Sequence, residues 1–212
     1  IADFCSTGSG GTPSKSKPEY YEGGDIPWIK SGDLRENVIT QASEYISELA
    51  LQKSSAKLIP TGAILLAMYG ATVGRMAILG IDAATNQAVC SIIPDKNKAF
   101  LKYVYYALLH KVPEFLQNAV GGAQPNISQG IIKDTKIPLP PLEEQKRIAA
   151  ILDKADAIRQ KRQKAIELAD EFLRSVFLDM FGDPVTNPKG WKEAPLSSIA
   201  DIASGVTKGK SY

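Results

Sequence analysis

The stretch that decides the fold is IPLPPLEEQKRIAAILDKADAIRQKRQKAIELADEFLRSVFLDMFGDP, residues 137–184. Pro138, Pro140 and Pro141 cannot sit inside a helix, but Pro141 can open one, and Glu143 and Glu144 place negative charge in the first turn, where the helix dipole favours it. Gly182 and Pro184 supply the stop. Between them no helix breaker occurs over about 40 residues, which at ~1.5 Å per residue predicts a rod of roughly 60 Å.

Its apolar residues recur in sevens. Ile148, Ala155, Arg162, Ala169 and Val176 share one position, and Ile151, Ile158, Ala165 and Phe172 lie three residues after the first four of these. Ile166, Leu173 and Met180 widen the seam. A seam with this period needs a second helix alongside, and its alanines let that helix come close. Arg162 costs stability there unless it pairs, whereas Arg159, Lys161 and Lys164 read as the wet side of the rod.

Before the rod, residues 1–140 are rich in Gly, Pro and short apolar runs. Residues 63–68, 75–79 and 88–93 read as strands bounded by Gly62, Gly70, Gly80 and Pro94. Phe100 to Gln117 reads as an amphipathic helix broken or restarted at Pro113, and Ser47 to Lys57 as a weaker one. The expected fold is α/β, more closely α+β with a largely antiparallel or mixed sheet, followed by the single long helix. After the rod, the chain closes on IADIASGVTKGKSY (199–212), close to its opening phrase IADFCSTGSGGTPSK (1–15). The expected layout is a globular domain at 1–140, the helix at 141–182, and a linker with the first strand of a second unit at 183–212. A two-unit parent supplies the partner helix in the same chain; a half-length chain supplies it by dimerising.

With 212 residues, 44% of them hydrophobic and 23% charged, the chain can build a good core and is not of disordered composition. No apolar run approaches the ~18 residues of a membrane span, and no basic-then-apolar leader opens the sequence, so a soluble, cytoplasmic protein is the expectation. Cys5 and Cys90 read as core residues, and with His110 as the sole histidine no structural zinc set is expected.

A net charge of +2 is too mild to announce a polyanion partner, so any such case rests on where the charges lie. GVTKGKS (205–211) resembles a phosphate-binding loop, but it is one residue short between its glycines and has Ser204 where the first belongs, so a polar turn is the better reading. GATVGR (70–75) reads as a tight turn between two apolar strands, compatible with a backbone nest for a phosphate. No catalytic or metal-spaced motif occurs, which favours a binding module without cofactor. The suggestive loops mix cations, amides and aromatics: Lys15 and Lys17 before Tyr20 and Tyr21, Trp28 with Lys30 and Ser31, and Gln124, Asn126 and Ser128 in GGAQPNIS. Lysines suit phosphates, and Asn or Gln can pair with adenine edges; Trp28 and the tyrosines read as core.

GGTPSK, DIPWIKSGDL (25–34), GATVGR, TNQAV (85–89), GGAQPNIS and above all IPLPPLEEQKRIAAIL with its long helix resemble the specificity subunit of type I restriction-modification systems. The resemblance implies an α/β target recognition domain that reads one half of a split DNA sequence. It implies long helices that pack antiparallel to set the half-site distance, and no catalysis by the subunit itself. The implied partners are double-stranded DNA, methyltransferase subunits and, through them, restriction subunits, with a homodimer through the helix for a half-length chain. Carried onto this sequence, the DNA-facing residues are Lys15, Lys17, Lys30, Ser31, Tyr69, Thr72, Arg75, Gln87, Gln124 and Asn126. The helix-pairing residues are Ile148, Ile151, Ala155, Ile158, Arg162, Ala165, Ala169, Phe172 and Val176. The competing readings are the recognition portion of a fused DNA methyltransferase or restriction enzyme, and a structural coiled-coil protein.

Overall fold

The strands Ile64–Ala67 and Met76–Leu79 are buried at every residue, because a sheet covered on both faces takes uninterrupted apolar runs in place of alternation. They belong to a computed structural model that describes residues 1–35, 38–117, 126–201 and 203. The chain forms two units, Ile1–Ala155 and Asp156–Tyr212. The first begins with β1 (Cys5–Ser9), β2 (Ile26–Ile29), β3 (Val38–Ile39), β4 (Glu44–Ile46) and α1 (Glu48–Lys53). It continues with β5 (Leu58–Ile59), β6 (Ile64–Ala67), β7 (Met76–Leu79), β8 (Ala83–Thr85) and β9 (Val89–Pro94). Then come α2 (Leu101–Gln117), α3 (Gln129–Asp134) and the start of α4 (Leu142–Phe181).

The strands make two sheets, ordered β1-β9-β6-β7-β3 and β4-β2-β8-β5. β2 runs parallel to β8 and β3 parallel to β7; the other pairings are antiparallel, so both sheets are mixed. Because side chains alternate across a strand, Ile64 and Leu66 of β6 enter one core with Leu108 and Phe115 of α2, while Leu65 and Ala67 enter another with Ile29, Ile59 and Ala83 of the second sheet. A third cluster places Trp28, Ile46 and Ala84 against Ala50 of α1. The layers are therefore α2 and α3, the first sheet, the second sheet, and α1. Cys5 and Cys90 are both buried in the first cluster, as expected of core thiols.

Two local predictions are corrected. α2 runs unbroken through Pro113. Proline removes one N–H from the ladder, but Leu108 before it and Phe115 after it are both buried in the same core, and that packing holds the two halves as one helix. The weaker helix shrinks to Glu48–Lys53, with the Ser47 hydroxyl accepting from Ala50 N as its N-cap.

α4 spans Leu142–Phe181 without interruption, within the bounds set by Pro141 and Gly182. In the second unit its C-terminal carbonyls find donors: Gly182, at φ +79°, donates to Leu178 O, Lys189 Nζ to Met180 O at 2.9 Å and Trp191 Nε1 to Phe181 O at 3.0 Å. The closing phrase from Ser204 onward lies outside the described residues.

Candidate nucleic-acid interface

One end of the two sheets gathers the loops singled out in the sequence. Gly10 N donates to Val89 O at 3.2 Å, and Gly11 N to Thr85 O at 2.9 Å, so the segment after β1 lies across the ends of β8 and β9. The Trp28 indole donates to Gly11 O at 3.1 Å, and Asn86 N to Ile29 O at 3.0 Å, which adds the end of β2. Met68 N donates to Ala88 O at 2.8 Å and Ile127 N to Met68 O at 2.7 Å, while Tyr69 bridges Asn126. Glycine is required at the crossing: a Cβ on Gly10 would stand 2.2 Å from Thr85 O.

GATVGR is the tight turn joining β6 to β7. Gly70 and Gly74 take φ of +83° and +81°, and Val73 N donates to Gly70 O at 3.1 Å. A side chain at position 74 would also press on Val112 of α2.

Of the ten residues named for DNA contact, Lys15, Lys17, Arg75, Gln87 and Asn126 are exposed, and Lys30, Ser31, Tyr69 and Thr72 are half-buried. Gln124 lies outside the described residues. Gln87 is drawn to the first loop by the Thr12 hydroxyl, which donates to its Oε1. Tyr69 and Asn126 are brought side by side although 57 positions apart (126 − 69).

The lysines differ in their freedom. Lys17 sits over the ring of Tyr20, 5.1 Å from its centroid, and its ammonium donates to that hydroxyl, which raises its pKa and keeps it cationic. Lys30 is ion-paired with Glu44 of β4, and its backbone N–H donates to Asp33 Oδ2 at 2.8 Å. Partial burial raises the Tyr69 phenol, so it offers a neutral hydroxyl. Trp28 and Tyr20 are core, as the sequence suggested. Sequence reasoning passed over Glu44 and Thr12, because a two-stranded register, not a motif, sets Glu44 opposite Trp28 and so within reach of Lys30. It also passed over Arg35 and Lys57, both exposed cations.

Along α4 the two faces have different fates. Gln145 and Ala149 are buried. Ile148 is half-buried, whereas Ile151, Ala155, Ile158, Arg162, Ala165, Ala169, Phe172 and Val176 are exposed, Phe172 by 67%. Ile166, Leu173 and Met180 are exposed beside them. Together they leave a long apolar stripe of α4 open to water.

The domain thus gathers loops of mixed cations, amides and aromatics at one sheet end, and the helix that follows carries an open apolar stripe. The chain belongs to the type I restriction modification DNA specificity domain family, whose model matches residues 1–168. It is 32% identical to the type I restriction enzyme MjaIX specificity subunit of Methanocaldococcus jannaschii over 97% of its own length and 51% of that protein. It is 35% identical to the EcoR124I/EcoR124II specificity subunit of Escherichia coli over 70% of its length and 38% of that protein. The chain thus spans about half or less of the length of these curated relatives. Two solved structures share the fold. One is from a study of complex assembly and conformational transition of the type I R-M system (TM-score 0.63, 24% identity, 84% of this chain and 43% of that one). The other is the HsdS subunit from Thermoanaerobacter tengcongensis (TM-score 0.60, 22% identity, 77% and 38%).

Proposed function

We propose that this chain reads one half of a bipartite double-stranded DNA target for a type I restriction-modification complex. The observation that supports the reading is the convergence, at one sheet end, of exposed Arg75, Gln87 and Asn126 with Gly10, Gly11 and Thr12 from positions far apart in sequence, the exposed Lys15 and Lys17 following that segment in the chain. The lysines and Arg75 meet phosphates, while the amides of Gln87 and Asn126 are suited to adenine edges in the major groove. Residues 1–140 form the recognition domain in this reading, 141–182 the spacer helix, and 183–212 lead into a second recognition repeat.

The open stripe from Ile151 to Val176 pairs with a second such helix, which for a half-length chain means a homodimer, and the helix also docks the methyltransferase subunits that recruit restriction subunits. The chain itself performs no catalysis and works in the cytoplasm. Family membership supports the DNA-recognition role within such a complex, and the exposed stripe supports the pairing.

The test is a gel shift with the chain reconstituted with its methyltransferase subunit. Bipartite duplex should be retained at nanomolar affinity, and substituting the ten named residues together should weaken it at least a hundredfold. Undiminished binding by the pooled variant would remove the reading end from the proposal.

A further inference from the structure

Among the described residues the buried polar side chains are Thr85, Ser91 and Gln145, and of these only Gln145 carries an amide. That amide is fully engaged: Oε1 accepts from Phe100 N at 2.8 Å, and Nε2 donates to Lys98 O at 3.1 Å and Pro140 O at 2.8 Å. Lys98 and Phe100 belong to the turn that opens α2, whereas Pro140 belongs to the proline cluster that opens α4. One side chain therefore ties together the entrances of two helices.

The tie extends along the same face. Ala149, one turn on, is buried. After a further turn Asp153 takes two partners from α2, its Oδ1 accepting from the Tyr106 hydroxyl at 2.7 Å and its Oδ2 pairing with Lys102 at 2.6 Å. The Tyr103 hydroxyl donates to Pro138 O at 2.9 Å. Residues 145, 149 and 153 recur every four positions, so this face is distinct from the open stripe that begins at Ile151.

Apolar packing tolerates small slides and rotations, whereas a buried amide with three fixed partners is satisfied in one register only. We propose that Gln145 is a positioning residue: it locks the first turns of α4 to the DNA-reading unit and thereby fixes the half-site spacing that the complex accepts. This inference rests on the function proposed above and adds to it the joint by which a helix can act as a ruler. A ruler with a loose end would still bind both half-sites, but at several separations.

The experiment co-expresses the full chain with its methyltransferase subunit in a host lacking other such systems and maps methylated sites by single-molecule sequencing. The unsubstituted chain should mark a bipartite motif with one spacer length. Gln145→Leu, which keeps the volume and removes the bonds, should mark the same half-site bases with methylation at spacers one base pair longer or shorter raised at least tenfold. A merely structural role would lower the yield of complex at an unchanged single spacer, and that result overturns the proposal. Should Gln145→Leu fail to accumulate, the double variant Tyr106→Phe, Asp153→Asn loosens the same joint from its wetter end. It must show the same broadening, and a single spacer there equally overturns the proposal. A wild-type chain that directs no methylation overturns the functional reading itself, and with it this inference.

Discussion

Lys30 and Glu44 form an ion pair at the end of the second sheet where the loops gather, held there by the antiparallel register that sets Trp28 opposite Glu44. One cation of the proposed phosphate-binding set is thus occupied in the free chain, and because both partners stay in contact with water at the surface, the pair contributes little to stability. Its consequence lies in binding. Glu44→Gln should free Lys30 for a phosphate, raising affinity several-fold for all sequences alike and steepening the log-log salt dependence by about 0.9. A change in preferred bases in place of this uniform gain would mean that the Glu44 carboxylate touches a base.

Arg75 and Asn126 should separate positioning from reading. Arg75→Ala is expected to weaken binding of every duplex about tenfold, or ~1.4 kcal/mol. Asn126→Ala should cost ~1–3 kcal/mol on the preferred duplex and far less on one altered at a single position. Competition assays against single-base variants of the target distinguish the two patterns.

The stripe on α4 predicts self-association. A charge at its most exposed aromatic, Phe172→Asp, should raise the dissociation constant of the paired state by at least tenfold, about 1.4 kcal/mol, without lowering helix content. Sedimentation velocity across a concentration series reads the first quantity and far-ultraviolet circular dichroism the second. A chain that sediments as a monomer before and after the change would rule out pairing between copies.

Burial pushes the thiols of Cys5 and Cys90 up to about 11 and about 12. Both stay protonated at pH 8, so the native chain should resist a thiolate-selective reagent there, and the denatured chain should react at both positions. The linkage has a definite sign. A raised folded-state pKa leaves this contribution whole below the ordinary thiol value of 9 and loses it as pH climbs from 9 through about 11 for Cys5 and about 12 for Cys90. Cys90→Ala should flatten that alkaline decline in a melting series.

Asp82 shows the opposite sign. Its carboxylate accepts from the Thr61 N–H at 2.7 Å and the Thr61 hydroxyl at 2.8 Å, which holds its pKa below the ordinary 3.8. Its contribution is present above that value and fades as pH falls below it, so Asp82→Asn should shrink the acid-side loss of melting temperature.

Much of this was legible along the chain. The proline cluster and Gly182 bracket α4, the glycine-bounded apolar runs mark β6, β7 and β9, and Gly70 with Gly74 make the expected turn. Each depends on a backbone rule that acts over a few residues. Pro113 misled because its local cost is outweighed by burial of Leu108 and Phe115, and burial is a property of the folded core. Lys30 looked like a free cation because nothing local to it reveals Glu44. No local pattern singles out Gln145, although it is wholly buried.

The sequence by itself determined the long helix, its apolar stripe, the mixed α/β domain ahead of it and the family to which both belong, because periodicity, helix stops and turn glycines are written residue by residue. Only the tertiary structure decided which loops share one end of the sheets, which lysine is neutralised and which face of α4 is tied down. Those outcomes come from strand register and from hydrogen bonds between positions far apart, such as Tyr69 with Asn126 and Phe100 with Gln145, and no local pattern encodes a distance in space.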